Sequence, residues 1–227
     1  MGYPIQRISR ASGEDRQHRA DSDRARLLER VAIGLAHEGK NPLHNMVLHL
    51  QLMSEKIASP ERVGGSPIEK HVSALRDGIA RVDALLRSFG EFAAPEHLPP
   101  DVAAAARRAI QLFAYDARRA TVQVVQHGPA TLLVKSDSSV LGDLVAHAYL
   151  ACVEHARDGG SVTVDLEVRG AFVELELRAE SGLGNREQAL PHLDAVRRLA
   201  SEASCELSIE TPPAGGARLS LSFLHPR

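Results

Sequence analysis

The sequence is poor in the residues that support several common kinds of protein. It has no tryptophan, three methionines and two cysteines in 227 residues, and aromatic residues make up 4% of it. The two cysteines, Cys152 and Cys205, stand far apart in apolar surroundings, which argues against a disulfide framework or a metal site. We therefore expect two reduced core thiols and a cytoplasmic protein.

Long apolar runs and an excess of charge are also missing. No apolar run reaches the roughly 20 residues needed to span a bilayer, and the first 20 residues are too polar for a signal peptide. The formal net charge is −2, which gives no basic surface of the kind that binds nucleic acid. Neither a membrane nor a nucleic acid is expected as a partner.

Apolar residues repeat at helical spacing through the first 93 residues. From about residue 21 to residue 58 they recur in steps of three and four, and residues 59–67, "SPERVGGSP", read as a turn. In the next segment Ile68, Leu75, Val82 and Phe89 are seven residues apart, and Val72, Ile79 and Leu86 fill a second heptad position. The pattern predicts two antiparallel helices.

Such a hairpin would expose a long apolar stripe if it stood alone. Pairing two hairpins into a four-helix bundle buries that stripe, so a homodimer is expected. Packing of the hairpin against its own C-terminal half would also bury the stripe, and periodicity does not exclude it.

A second, α+β region follows a proline-rich linker, "FAAPEHLPPD", at residues 92–101. We predict a polar tail (1–20), the helical hairpin (21–93), a linker (94–101) and the α+β domain (102–227). Within that domain the patterns predict helices at 101–119, 138–156 and 187–203, and strands at 121–127, 130–135, 205–210 and 217–223. Alternation across a turn at Arg169 and Gly170 predicts a β-hairpin over 161–180. The fold class is α+β, with one sheet covered by helices on one face.

The first helix contains an unusual stretch, "LAHEGKNPL", at residues 35–43. Pro42 removes a backbone N–H and crowds the carbonyl of Glu38, and Gly39 weakens the same turn. We therefore expect His37 to project from a deformable, solvent-facing turn.

This stretch resembles the phosphoacceptor motif of the sensor histidine kinase superfamily. His37 and Glu38 match that motif, as do Lys40, Asn41, Pro42 and Leu43, whereas Gly39 departs from it. The resemblance implies that the hairpin is a dimerisation and histidine-phosphotransfer domain and that His37 is phosphorylated. Glu38 would orient the ring or accept its proton, and Asn41 would face a docked partner.

In that family the second domain is an ATP-binding Bergerat-type sandwich, and here the landmarks are degenerate. Asp143 and His147 stand where the family has two asparagines, the second a Mg²⁺ ligand, although magnesium prefers oxygen to imidazole. The adenine-reading motif survives only as Glu180, Gly182 and Gly184. Residues 190–193 replace a glycine motif, and residues 185–189 leave no room for a lid. We therefore expect neither ATP nor a metal as a cofactor, with Mg²⁺ supplied by the partner.

Three functions remain open on the sequence. We favour a phosphorelay protein that carries phosphoryl groups on His37 between receiver domains of response regulators without using ATP. The alternatives are an unorthodox ATP-dependent histidine kinase and a non-catalytic scaffold or receiver phosphatase.

Overall fold

Two long helices precede a five-stranded sheet in the computed structural model, which describes residues 13–58, 68–94, 99–180, 186–210 and 216–226. The helices are α1 (Gly13–Ala58), α2 (Ile68–Ala93), α3 (Val102–Leu112), α4 (Ala114–Arg119), α5 (Ser138–Ala156) and α6 (Arg186–Glu202). The strands are β1 (Gln123–His127), β2 (Ser161–Arg169), β3 (Phe172–Glu180), β4 (Glu206–Glu210) and β5 (Ala217–Leu224). This is the predicted α+β class.

The sheet has the strand order β1-β2-β3-β5-β4. Strand β1 pairs with β2 in parallel, and the other neighbours are antiparallel. Alternate residues of β2, β3 and β5 are buried, as the period-two pattern predicts for a sheet with one face covered. The opposite face carries charged side chains, including an ion pair between Arg178 and Asp165.

Helix α5 lies against the buried face of the sheet. Most of its residues are buried, among them Leu144, Tyr149 and Cys152. Asp137 begins the helix by accepting a hydrogen bond of 2.8 Å from the backbone N–H of Ser139. Both cysteines are free thiols, as expected, and burial raises the pKa of Cys152 to about 12.

Several predicted boundaries are wrong. Helix α1 begins at Gly13, inside the segment predicted to be a polar tail. The helix predicted over 101–119 is divided at Phe113 into α3 and α4. The β-hairpin turn lies at Gly170 and Ala171, one residue later than predicted, and Gly170 has a φ of 64°.

The strand predicted over 130–135 does not form. This segment makes a single β-bridge, between Leu133 and Asp101. The predicted turn at 59–67 and the central linker residues 95–98 lie outside the described residues.

The buried side of α2 overlaps the predicted heptads only in part. His71, Leu85 and Phe92 are buried and stand seven residues apart with Gly78 between them. A Cβ atom on Gly78 would lie 2.6 Å from the Cγ of Met46, so the two helices approach closely there. The predicted heptad residues Ile68, Ile79 and Leu86 stay exposed, whereas Leu75, Val82 and Val72 are half-buried and Phe89 packs against the main core.

The hairpin also packs against the C-terminal half of the chain. Leu27 and Val31 of α1 and Phe92 of α2 belong to the same buried cluster as the core of the sheet. This is the alternative that periodicity left open, and it applies to the N-terminal half of α1. Among the described residues, no helix is long and apolar enough to cross a membrane.

Candidate functional site

His37 lies on α1 beside the short helix α4. Its side chain is exposed, and its ring stacks on that of Tyr115 with the centroids 4.3 Å apart and the planes 2° from parallel. The next residue, Glu38, forms an ion pair with Arg118, which lies one turn along α4 from Tyr115. The predicted phosphoacceptor is thus solvent-accessible and has a defined neighbour in the α+β region.

A glycine permits this close approach of the two helices. A Cβ atom on Gly34 would lie 3.1 Å from the carbonyl oxygen of Leu112 and 3.7 Å from the Cβ of Tyr115. Arg30, one turn before Gly34, bonds Asp116 of α4 through its Nε at 2.9 Å. Helix α4 is therefore held along the side of α1 that leads to His37.

The remaining residues of the motif stay on the same helix. Helix α1 continues without a break through Pro42, which is buried, and Asn41 and His44 are exposed. The carbonyl oxygen of Pro42 lies close to Gly78 of α2. His37, Glu38 and Asn41 are near one another because they share two turns of α1, and their catalytic roles stay predictions.

Asp143 meets α1 instead of facing an open pocket. Its carboxylate forms an ion pair with Arg24, whose guanidinium also donates to the carbonyl oxygen of Phe92 and lies 4.5 Å above the Phe92 ring centroid. Burial raises the pKa of Asp143, and the charge of Arg24 partly opposes that rise. One arginine thus joins α1, the end of α2 and α5.

His147 likewise contacts another side chain of the same protein, that of His192. Its Nδ1 lies 2.9 Å from Nδ1 of His192, and Nε2 of His192 lies 3.0 Å from the guanidinium of Arg30. Burial, with a smaller contribution from neighbouring charges, lowers the pKa of His147 to about 3 and that of His192 to about 4. Both rings are therefore neutral at pH 7, and α1, α5 and α6 meet at this pair.

A cavity of about 550 Å³ adjoins the histidine pair. It is lined by Asp23, Arg26, Leu27, Glu29, Arg30, Arg119, His147, Glu154, Arg157, Pro191 and His192. Arg30 crosses it to form ion pairs of 2.7 Å with Asp116 and 2.9 Å with Glu154. Burial acts to raise the pKa of Glu154, but the guanidinium groups of Arg30 and Arg157 together hold it below its ordinary value.

The residues present do not fit a magnesium nucleotide. Magnesium needs several oxygen ligands, whereas Asp143 is paired with Arg24 and His147 offers nitrogen. No group of three or more potential metal-ligating side chains exists in the described part of the chain. Glu180 is exposed at the end of β3, where Ser161 donates a hydrogen bond of 3.2 Å to it, and Gly182 and Gly184 lie outside the described residues.

The segment that the resemblance aligns with a glycine motif is part of a helix. Residues 190–193 lie within α6, which contains Pro191. Only residues 181–185 separate β3 from α6, and they lie outside the described residues. Backbone amides within a formed helix are already bonded, so this segment has no loop with which to surround phosphate groups.

The fold is an α+β sheet preceded by a helical hairpin, and the solved structures that it resembles include histidine kinases. The histidine kinase AdeS of Acinetobacter baumannii is 10% identical with a TM-score of 0.47, over 81% of this chain and 98% of that one. A structure described as a bacterial phosphotransferase is 15% identical with a TM-score of 0.46, over 87% and 96% of the two chains.

The ATP-binding domain of PrrB from Mycobacterium tuberculosis is 26% identical with a TM-score of 0.44, over 58% of this chain and 99% of that one. No protein-family model and no curated protein matches the chain. TM-scores of this size carry no functional assignment, so function is inferred from the chain's own residues.

Proposed function

We propose that the chain is a two-component phosphorelay protein that carries phosphoryl groups on His37 between receiver aspartates without using ATP. The observation that supports the proposal is the contrast between His37 on α1 and two positions on α5. His37 is exposed within a nearly complete phosphoacceptor motif. The positions that the resemblance assigns to nucleotide and metal, Asp143 and His147, are instead engaged by Arg24 and by His192.

The region around Asp143 and His147 is where α1 packs against the α+β domain, through contacts made by Arg24 and Arg30. Leu27, which lies between these arginines on α1, and Val31, which follows Arg30, are 1% and 0% exposed. A magnesium nucleotide held by Asp143 and His147 would have to break the ion pair between Asp143 and Arg24 and separate His147 from His192.

Transfer between an aspartyl phosphate and His37 requires little from the chain beyond position. The unprotonated nitrogen of the neutral imidazole forms a P–N bond while the P–O bond of the acyl phosphate breaks, the receiver aspartate leaves as a carboxylate, and the proton on the other ring nitrogen passes to water. The receiver would supply the Mg²⁺ that neutralises the phosphoryl oxygens. Glu38, held by Arg118, would orient the adjacent ring.

Radiolabel transfer tests this function. A panel of the host's receivers, charged with labelled acetyl phosphate, is expected to label the chain, whereas labelled ATP alone is not. His37→Gln should abolish labelling, because an amide is no comparable nucleophile. His44→Gln, two turns along the same exposed face, is the matched control and should keep the label.

Each other outcome selects a different function. Label from ATP alone would establish a kinase, and no label from either donor would favour a scaffold or phosphatase. Calorimetry provides an independent check, since we expect ATP binding weaker than about 1 mM, or less favourable than roughly −4 kcal/mol. Micromolar ATP affinity would contradict the relay.

We further propose that the active form is a homodimer. Apolar side chains remain exposed along both helices of the hairpin: Leu43, Val47, Leu50, Ile57, Ile68, Ile79 and Leu86. Contiguous exposed apolar surface on a helical hairpin is typical of an association face.

A further inference from the structure

We infer that Tyr115 is a positioning residue for His37, acting together with Arg118, and that it holds the imidazole in the orientation that a docked receiver needs. This inference rests on the proposed phosphotransfer function. It assigns a role in that transfer to the α+β region, whose residues do not fit the nucleotide-binding role of the corresponding domain in the family that the motif resembles.

The geometry of the stack suits this role. The rings are parallel within 2° and their centroids are 4.3 Å apart, so Tyr115 covers one face of the imidazole. The ring nitrogens lie on the edge of the imidazole, and their lone pairs point outward in the ring plane. A parallel stack therefore restricts rotation of the ring while His37 stays exposed to a partner.

Three successive contacts hold α4 against α1. They join Arg30 to Asp116, His37 to Tyr115, and Glu38 to Arg118. Asp116 and the following Ala117 are buried, which anchors α4 in the α+β core. Tyr115 therefore extends from a fixed element, and its ring is a stable reference surface for the imidazole.

The ion pair defines the orientation further. Arg118 is itself 58% exposed, so its pairing with Glu38 contributes little stability. The position of Arg118 matters more than this stability. Arg118 lies on α4 together with Tyr115, and it pairs with Glu38, the residue that follows His37 on α1. The turn of α1 that carries His37 is therefore held against α4 by two contacts, the stack with Tyr115 and the ion pair with Arg118.

Substitution of Tyr115 separates stacking from the hydroxyl group. Tyr115→Ala should lower the single-turnover rate of transfer from a phosphorylated receiver to His37 about tenfold, because a mobile ring is less often in line with the donor. Tyr115→Phe preserves the stack and should remain within about twofold of the parent. Arg118→Ala should have a smaller effect of the same sign, and Arg119→Ala, the exposed neighbour, is the matched control.

Labelling of His37 by a small phosphoryl donor distinguishes a positioning defect from a general structural defect, because only a structural defect would also reduce labelling by the small donor. Phosphoramidate needs no docked geometry, so it should label His37 of Tyr115→Ala at least as fast as His37 of the parent. A loss of labelling by both donors would indicate damage to the fold and overturn the inference. NMR should also show cross-relaxation between the rings of His37 and Tyr115 in the parent.

Three results would overturn the positioning role while leaving phosphotransfer intact. They are a Tyr115→Ala variant that accepts the group from a receiver at the parental rate, one that accepts it faster, and a parent without the ring-to-ring signal. A faster variant would mean that the stack obstructs His37. If no receiver labels the parent, the proposed function itself fails, and the inference fails with it.

Discussion

At the scale of single residues, the histidine pair gives the stability of the protein a predictable pH dependence. His147 and His192 face each other, with Arg30, Arg198, Asp23 and Glu154 as the charged groups that act on them. Burial is the largest influence on both, and it lowers their pKa values from 6.5 to about 3 and about 4. The unfolded chain therefore binds more protons than the folded one between pH 6.5 and those values.

The contribution of this pair to the free energy of unfolding should be fully present above pH 6.5 and should decrease as the pH falls below 6.5. Between pH 7.5 and 5.5 the loss should be on the order of 2 kcal/mol for the pair, measured by thermal or urea unfolding. The double variant His147→Gln, His192→Gln should show a shallower decline, and His44→Gln should keep the parental slope. A parental slope in the double variant would contradict the burial argument.

The sequence indicated which residues belong to the candidate site only where a local motif contains them. "LAHEGKNPL" identifies His37 from nine neighbouring letters. Tyr115 lies 78 positions further on in a stretch without any motif, and Arg24 meets Asp143 across 119 residues. Contacts of this kind depend on how α1 packs against the sheet domain, which a single sequence does not record.

At the scale of elements, alternation predicted most strands and failed at one. Leu132 and Val134 are 6% and 1% exposed and Leu133 is 41% exposed, which is the burial pattern of a strand. The backbone, however, bonds mainly to Pro100 and Val102 beside the start of α3, and its one bond to a strand, from the Lys135 N–H to the carbonyl oxygen of Leu224 in β5, does not extend into a ladder. Burial alternates wherever an extended chain crosses a core, so the pattern alone does not show that a β-ladder is present.

The turn that carries His37 provides a test at the same scale. Gly39 has no atom within 4 Å of the place where a Cβ would stand, whereas Pro42 is buried near α2. The double change Gly39→Ala, Pro42→Ala should raise stability by about 1–3 kcal/mol, since better helix propensity and a restored hydrogen bond outweigh some lost packing. If deformability serves transfer, the receiver-dependent rate should fall in the same variant.

Gly90→Ala is the matched control for that experiment. Gly90 lies within α2, and a Cβ there also meets no atom within 4 Å. This change should raise stability by about 0.5–1 kcal/mol and leave phosphoryl transfer unchanged. Thermal melts and single-turnover labelling on all three proteins make the comparison. Parental transfer by the Gly39→Ala, Pro42→Ala protein would show that transfer does not require Gly39 and Pro42.

At the scale of the whole molecule, the hairpin has two different ends. Arg24, Leu27 and Val31 join the N-terminal half of α1 to the sheet domain. Beyond Pro42, Met46 and His49 of α1 contact α2 at Gly78 and His71, and the apolar residues Leu43, Val47 and Leu50 are each about half exposed. The heptad pattern correctly indicated more apolar surface than one hairpin buries, but it did not distinguish the face used within the chain from the face left outside.

The difference between the buried and the exposed faces of α2 allows dimerisation to be tested separately from folding. Leu86 is 61% exposed and Leu85, its neighbour, is 8% exposed. Leu86→Glu should leave the folded monomer nearly unaffected and convert a dimer to monomers in light scattering, because a charge would be buried without a partner only at the association face. Ala84→Glu, which adds the same charge to another exposed side of α2, should remain dimeric. Leu85→Glu should instead reduce helicity and lower the melting temperature, since it places the charge between α2 and its neighbours within one chain. A Leu86→Glu protein that is still dimeric and fully helical would show that subunits associate through some other surface.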